Sequence, residues 1–486
     1  MRRMVFIEPQ APGFHIFSRF PLPRLGSFIL ATMMKERGWD AEVILEQLGG
    51  VNYESVRSAD LVGISTITPT ALGSYAIADR VRAMGIPVIM GGPHVTHLPD
   101  EAMEHADFVV RGEGERALMA FVDEWEGARD FSRVPNLTYR DAGRILHNPV
   151  EPFLDDLDRL PHPDFSLLKG GLQRVANMRI IPVQTSRGCP FDCSFCSVTG
   201  MFGKGYRYRS TDHIISELRK HNEPGNFVFF YDDNFTANKK RARELLNAMI
   251  REGFRFNWST QVRVDVARDG ELVHLMKKAG CHTVFIGFES VNPESLREMD
   301  KKQTVDDIAR AIGVIKGAGI HIHGMFVYGF DEDTWESVEA TIRFTRKVQI
   351  SSLQFLILTP LPGSELYKKL VAEDRILSTN WSHYDTHHVV FRPRNFTPYE
   401  LMQAQLHSHA RLYTWGEMAR KALRGNMIGL GLGYYARNLN NKWRKINRDY
   451  VKGLRKLPVP GEVRDGSVPI LSMGETAIGE KTESAI

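Results

Sequence analysis

The 486-residue chain is long enough for about three domains. Its 43% apolar and 25% charged residues form an ordinary globular balance, which excludes a disordered or fibrous protein. No apolar run approaches the roughly 18 residues of a membrane-spanning helix, and four cysteines, three of them clustered, exclude a disulfide scaffold and point to a reducing cytoplasm.

The first residues, Met1 to Pro9, hold too short an apolar stretch for a secretory signal and read as a β-strand. Further short apolar runs follow at Ala41–Leu45, Leu61–Ser65, Pro87–Met90 and Phe108–Val110, with helical patterns such as Ser27–Arg37 and Ala71–Met84 between them. Strands alternating with helices predict βαβ units and an open, doubly wound parallel sheet over residues 1–135, with ligands at the carboxyl ends of its strands. Three strand ends carry small or polar residues suited to a bulky polar ligand: Ser65, Thr66 and Thr68; Gly91, Gly92 and His94; and Gly112 and Glu113. A dinucleotide site would want a G-x-G-x-x-G after the first strand, and the sequence has none there.

Residues 136–176 read as a linker, because Pro149, Pro152, Pro161 and Pro163 interrupt any long element. A second α/β region spans 177–375. Its strand candidates are Ile180–Thr185, Phe227–Tyr231, Asn257–Val262, Thr283–Ile286, His323–Val327 and Ser352–Leu358, separated by helices such as Ile214–His221 and Lys239–Glu252. Six such units fit a partial (β/α)6 barrel, whose chemistry sits on loops at the C-terminal strand ends.

Directly after the first of these strands comes Arg187-Gly-Cys-Pro-Phe-Asp-Cys-Ser-Phe-Cys-Ser197. Cys189, Cys193 and Cys196 form a C-x3-C-x2-C triplet with Phe195 just before its last member. Three thiolates can hold three irons of a [4Fe–4S] cluster and leave the fourth open to a ligand. Zinc would want four Cys or His ligands. The arrangement resembles the radical S-adenosylmethionine (SAM) superfamily, in which the free iron chelates SAM and reductive cleavage yields a 5′-deoxyadenosyl radical. Later strand ends extend the resemblance. Asp232 and Asp233 stand where the family binds the SAM ammonium, and the sequence does not choose between them. Arg263 offers a fork for the SAM carboxylate. Gly287 permits close backbone approach, and Glu289 in Gly-Phe-Glu-Ser offers a contact to the SAM amino group, ribose or substrate. Cys281 reads as a core residue instead.

A sheet domain ahead of such a barrel resembles the cobalamin-binding domain of class B radical SAM enzymes. The resemblance implies that Ser65, Thr66, Thr68, Gly91, Gly92, His94, Gly112 and Glu113 contact cobalamin. The Asp-x-His-x-x-Gly motif that gives cobalt a histidine in many cobalamin proteins is missing from the sequence, which either removes cobalamin or implies a histidine-free cobalt, a pattern class B members share, with His94 and His97 as the alternative ligands. The implied activity is C-methylation of an unactivated carbon of a small or lipid-like substrate, with flavodoxin or ferredoxin as electron donor. Oxidative cyclisation, ring rearrangement and carbon–carbon coupling use similar architecture. A cobalamin sensor with a vestigial barrel is the reading from another class, and the intact triplet speaks against it.

Residues 376–455 read as a mostly helical cap over the barrel mouth, with Trp381 to His388 offering polar aromatic groups to substrate or corrin. Between Arg411 and Lys456 lie 12 Lys/Arg against two acids, leaving the remainder with 50 basic and 56 acidic residues. A local basic run with Trp415, Tyr434, Tyr435 and Trp443 suggests an amphipathic surface for anionic lipid and hence a peripheral membrane contact, and it equally suits a phosphorylated substrate or a plain solvated face. The acidic remainder argues against a nucleic-acid partner. Residues 456–486 lack periodicity and are expected to be disordered.

Overall fold

The computed structural model describes residues 1–13, 22–175, 177–423 and 427–457. The tail expected to be disordered therefore lies almost wholly outside the described residues. Two seven-stranded sheets organise the chain.

The first sheet contains β1 (Arg3–Glu8), β2 (Asp40–Leu45), β3 (Leu61–Ser65), β4 (Val88–Gly91) and β5 (Phe108–Val110), parallel in the order β2-β1-β3-β4-β5. Both faces are buried. Val5 and Ile7 of β1 pack into one apolar cluster, while Met4 and Phe6 pack into the other. That two-sided burial is why these strands read as continuous apolar runs. The order reverses between β1 and β3, so a crevice opens at their carboxyl ends.

The sheet continues past residue 135. Strands β6 (Leu137–Asp141) and β7 (Arg144–His147) form an antiparallel hairpin that extends it beside β5. Ala142 and Gly143, both at positive φ, make its tight turn. The linker expected over 136–176 thus begins only after His147. Its first strands escaped notice because β7 is an edge strand almost fully exposed, with no apolar run to mark it.

The second sheet pairs β9 (Met178–Val183), β12 (Asn226–Phe230), β13 (Asn257–Gln261), β14 (Cys281–Glu289), β15 (His321–Tyr328) and β16 (Ser352–Ile357), all parallel and in chain order. The short β8 (Arg174–Val175) lies antiparallel on the β9 edge. The β9 and β16 ends do not pair, so the barrel is open. Alternate residues such as Val228, Phe230, Ile286 and Phe326 face the outer helices. Their neighbours Phe229, Phe285 and His323 line the inner face, in ring contact at 5.7 Å and 5.1 Å along the wall. Outer helices are locally specified. Lys239–Glu252, for example, starts on Asn238, whose side chain accepts from Arg241 N–H, and stops at left-handed Gly253.

The C-terminal region departs from a simple cap over the mouth. Helix Pro398–Leu412 packs beside β16, where Gln405 donates to the Phe355 carbonyl at 3.1 Å and Ser408 pairs with the Tyr328 hydroxyl at 3.0 Å. Ahead of it, Trp381, Tyr384 and Val390 enter the apolar core of the first domain. Helices Trp415–Leu423 and Met427–Ile446 then form a hairpin on the outside.

Candidate active site

The cysteine loop emerges from two short strands, β10 (Ser186–Arg187) and β11 (Arg207–Tyr208), which pair antiparallel and frame it. Cys189, Cys193 and Cys196 are free and half-buried, and the Cys196 N–H donates to the Cys193 carbonyl at 3.0 Å. Burial pushes the Cys196 thiol up to about 12 and raises Cys189 as well. Such thiols stay protonated until a metal displaces the proton. Among the described residues no three His, Cys, Asp or Glu side chains converge on one ion. A cluster asks each thiolate for a different iron, so three separated thiols on one loop fit it as a donor set. Cys281 lies buried in the outer core, away from the loop.

The barrel's strand ends bring the expected SAM residues to this loop. Asp232 is committed elsewhere. Its carboxylate accepts from Thr185 N–H at 2.7 Å, Ser186 N–H at 3.0 Å and the Thr185 hydroxyl, and so fastens the turn that launches the cysteine loop. Asp233 has its side chain towards the cysteines. Burial, reinforced by the Asp232 charge, pushes its carboxyl up to about 6. A hydrogen bond from the Gly188 backbone N–H partly offsets this and keeps the Asp233 carboxylate beside the cysteine loop.

Arg263 lies 3.7 Å from the Cys193 sulfur through Nη1, donates from Nη2 to the Lys301 carbonyl at 2.5 Å, and stacks over Phe191 at 3.8 Å. Glu289 sits at a bulge in β14 with φ of 62° and is buried. Among the described residues its charged partner is Lys301, whose Nζ donates at 2.7 Å. Gly287 leaves the Glu289 carboxylate its place, because a Cβ there would displace it. Phe195 packs edge-on to Phe330 at 5.8 Å, with the Lys301 ammonium 5.9 Å from its ring. Lys301 was invisible to sequence reasoning because it follows the strand in a loop of unremarkable charge.

The cobalamin residues divide. Thr66, just past β3, is fully buried and its hydroxyl has no partner among the described residues. Gly92, at φ 107°, lies so close to the Thr66 backbone that a Cβ would come within 2.6 Å of its carbonyl oxygen. An orphaned hydroxyl beside close-packed backbone, with Ser65 half-buried next to it, suits a ligand rich in neutral amides. Gly91 ends β4, and the Gly112 N–H is already used within the protein, donating to Thr96 Oγ1 at 2.9 Å.

Other groups expected at a ligand are engaged within the protein. His94 is enclosed by protein partners. Its ring meets the Tyr75 hydroxyl at 3.1 Å, Thr68 Oγ1 at 3.4 Å and the Trp381 ring at 5.0 Å, and it has no exposed surface. Thr68 is buried in the same network. Glu113 is likewise taken, by Arg187 and Arg207 of the barrel, each at 2.9 Å. Burial pushes its carboxyl up, but the two guanidiniums outweigh this and hold it below the usual range. The segment Trp381 to His388 does not offer its aromatics to substrate either. Trp381 Nε1 donates to Glu101 at 2.8 Å, and the Asp385 carboxylate accepts from His387 N–H, His388 N–H and His388 Nδ1 at 2.8–3.1 Å.

Residues 183–345 match the radical SAM superfamily, and residues 18–122 match the B12 binding domain. An uncharacterized methyltransferase of Pyrococcus horikoshii is 33% identical over 80% of this chain and 88% of its own length. The bacteriochlorophyllide d C-12(1)-methyltransferase of Chlorobaculum tepidum is 29% identical over 83% of this chain and 85% of its own. Among solved structures, the radical SAM methyltransferase TsrM of Kitasatospora setae, with cobalamin and a [4Fe–4S] cluster bound, superposes with a TM-score of 0.66. It covers 77% of this chain and 78% of its own at 18% identity, so that likeness shows the fold.

Proposed function

The chain belongs to the cobalamin-binding radical SAM enzymes, and from that premise we propose that it methylates an unactivated carbon of a small, largely apolar substrate. The identity to methyltransferases over most of both chains carries the reading. When bound, the [4Fe–4S] cluster and SAM supply a hydrogen-abstracting 5′-deoxyadenosyl radical, and cobalamin supplies the methyl group.

Cys189, Cys193 and Cys196 hold the cluster. Asp233 pairs with the SAM ammonium, Arg263 orients its carboxylate, and Glu289 takes a further polar contact that the bare Cα of Gly287 leaves room for. Thr66, Ser65, Gly91 and Gly92 cradle cobalamin at the carboxyl edge of the first sheet, where the strand order reverses. The substrate lies against the inner barrel wall. Phe229 and Phe285 supply an apolar face there, and the His323–Gln354 pair, 3.4 Å apart, a polar one. The amide nitrogen of buried Gln354 has no partner among the described residues, which fits one oxygen on an otherwise apolar molecule.

A small flavoprotein or iron–sulfur protein, flavodoxin or ferredoxin, would supply the electron. We also read the C-terminal hairpin as a peripheral lipid contact. Trp415, Leu423, Leu432, Tyr434, Tyr435 and Ile446 are exposed among its basic residues. No helix among the described residues is long and apolar enough to cross a membrane.

Feeding methyl-deuterated methionine to cells with and without the gene, with cobalamin present, tests the central claim. A gene-dependent metabolite or lipid carrying an intact CD3 group is the expected result. A gene-dependent product without label would overturn methylation in favour of oxidative cyclisation or rearrangement.

A further inference from the structure

Four charged side chains close the seam between the two domains beside the cysteine loop. Arg187 reaches Glu113 Oε1 through Nη1 at 2.9 Å and Glu115 Oε1 through Nη2 at 2.6 Å. Arg207 sets Nη1 on Glu113 Oε2 and Nη2 beside Oε1, both at 2.9 Å. The Leu154 N–H adds a third donor to Glu113 at 3.0 Å, and Gln184 accepts from Arg187 Nε at 2.9 Å. All four side chains are nearly buried, between 6% and 12% exposed. Two acids and two bases make the cluster neutral.

Its position matters more than its strength. Arg187 stands two residues before Cys189. Glu113 follows Gly112, whose N–H is tied to Thr96 in the short helix Pro93–His97 that follows Gly92. One chain of direct contacts thus runs from the edge of the first sheet to the first cysteine. A second bracket holds the other end of the cysteine loop. His97, from the same short helix, presses on Gly363 so closely that a Cβ there would collide with the imidazole. The Gly363 backbone in turn abuts Gly200, four residues past Cys196, leaving no room for a Cβ on it. Leu366 N–H also donates to the Ser194 carbonyl inside the loop at 2.9 Å. One end of the cysteine loop is therefore held directly by the first domain, and the other by the barrel segment 363–366, on which His97 of the first domain presses.

A buried ionic cluster is a poor way to gain stability, since well-packed apolar groups often do as well, but its forked bonds admit a single register. We propose that Arg187, Arg207, Glu113 and Glu115 form a register clamp that fixes the distance and orientation between the cluster loop and the cobalamin edge. They are positioning residues, touching neither cofactor. The proposal rests on both cofactors binding as read above. A radical formed at one cofactor and a group delivered from the other must meet at one carbon. A misplacement of about 1 Å can cost roughly 100-fold in such a step.

The test uses the full-length protein loaded with the [4Fe–4S] cluster and cobalamin, then reduced so that the cluster and cob(II)alamin are both paramagnetic. Microwave power saturation of the cob(II)alamin signal reads how strongly the nearby cluster relaxes it. Glu113→Gln and Arg187→Lys, the second preserving charge and built to fold, should retain iron and cobalamin content but show a several-fold weaker relaxation enhancement. Adding Arg207→Gln to Glu113→Gln rebalances the charge. It should recover melting temperature without recovering the spin interaction. Wild-type enhancement in the single variants, or its recovery together with stability in the double variant, would overturn the clamp. A wild-type protein that binds no cobalamin, or shows no mutual relaxation at all, would instead sink the reading of two facing cofactors.

Discussion

Replacing Gly287 with alanine tests whether the close approach in the Gly-Phe-Glu-Ser segment serves SAM. The added methyl would overlap Glu289 Oε1 and come within 3.2 Å of Lys301 Nζ. Gly287 does not occupy the left-handed region, so its backbone accepts alanine without strain. The penalty is therefore local overpacking, about 1–3 kcal/mol, absorbed by swinging the Glu289 carboxylate away from Lys301. If Glu289 holds SAM in its present place, that displacement weakens SAM binding by roughly 5- to 150-fold, at tenfold per 1.4 kcal/mol. The assay is titration of SAM into cluster-loaded protein, following the change in the reduced cluster's magnetic resonance spectrum. Gly313→Ala is the matched control. It lies within helix Val305–Gly317 with nothing near its missing Cβ, so alanine should leave SAM affinity alone and raise stability by up to about 1 kcal/mol. Wild-type affinity in Gly287→Ala at full cluster content would refute the assignment of Glu289 to the SAM site.

Two further outcomes follow from other parts of the molecule. Asp333 is buried, and burial pushes its carboxyl up to about 6 despite hydrogen bonds from Ser295, Gly329 N–H and Phe330 N–H. The native state therefore holds the proton more tightly than the unfolded one, and ionisation costs stability, about 3 kcal/mol, as pH rises from about 4 through about 6. Asp333→Asn keeps the same acceptor for both N–H groups. Its stability advantage over wild type should grow across that window in chemical denaturation, and a pH-independent difference would contradict the assigned cause. On the C-terminal hairpin, Arg444→Gln, Lys445→Gln and Arg448→Gln together remove three exposed charges. At about 1 kcal/mol per charge, binding to phosphatidylglycerol vesicles should fall about 100-fold in flotation assays. Binding that ignores both the substitutions and added salt would remove the lipid surface from the account.

What the sequence made legible depends on whether the signal is local. The six barrel strands announce themselves because each buries one face on helices and turns the other to the lumen, and the cysteine triplet is contiguous. Asp232 and Asp233, by contrast, are neighbours with different duties. The difference lies in Thr185 and Ser186, some 47 residues away in sequence. Glu113 carries the same lesson across 74 and 94 residues to Arg187 and Arg207. A glutamate flanked by glycines at a strand end looks like a ligand site from one sequence, and only folding brings two arginines to it. The pattern that could have flagged this was the arginine itself. Arg187, two residues before a cluster cysteine and with no acid within four residues on its N-terminal side, is a charge that burial would force to find a distant partner.

The same logic separates the two histidines of the short helix Pro93–His97. His94 is satisfied by Tyr75 and Thr68 and braced by Trp381, almost 300 residues on in the chain. His97 presses against Gly363, and burial lowers its affinity for a proton. It braces the domain seam there, and its buried Nε2, without a partner among the described residues, makes it the histidine of this helix that the protein leaves unsatisfied. A histidine-free cobalt, proposed from the missing Asp-x-His-x-x-Gly motif, is compatible with His94, whose ring is already engaged within the protein.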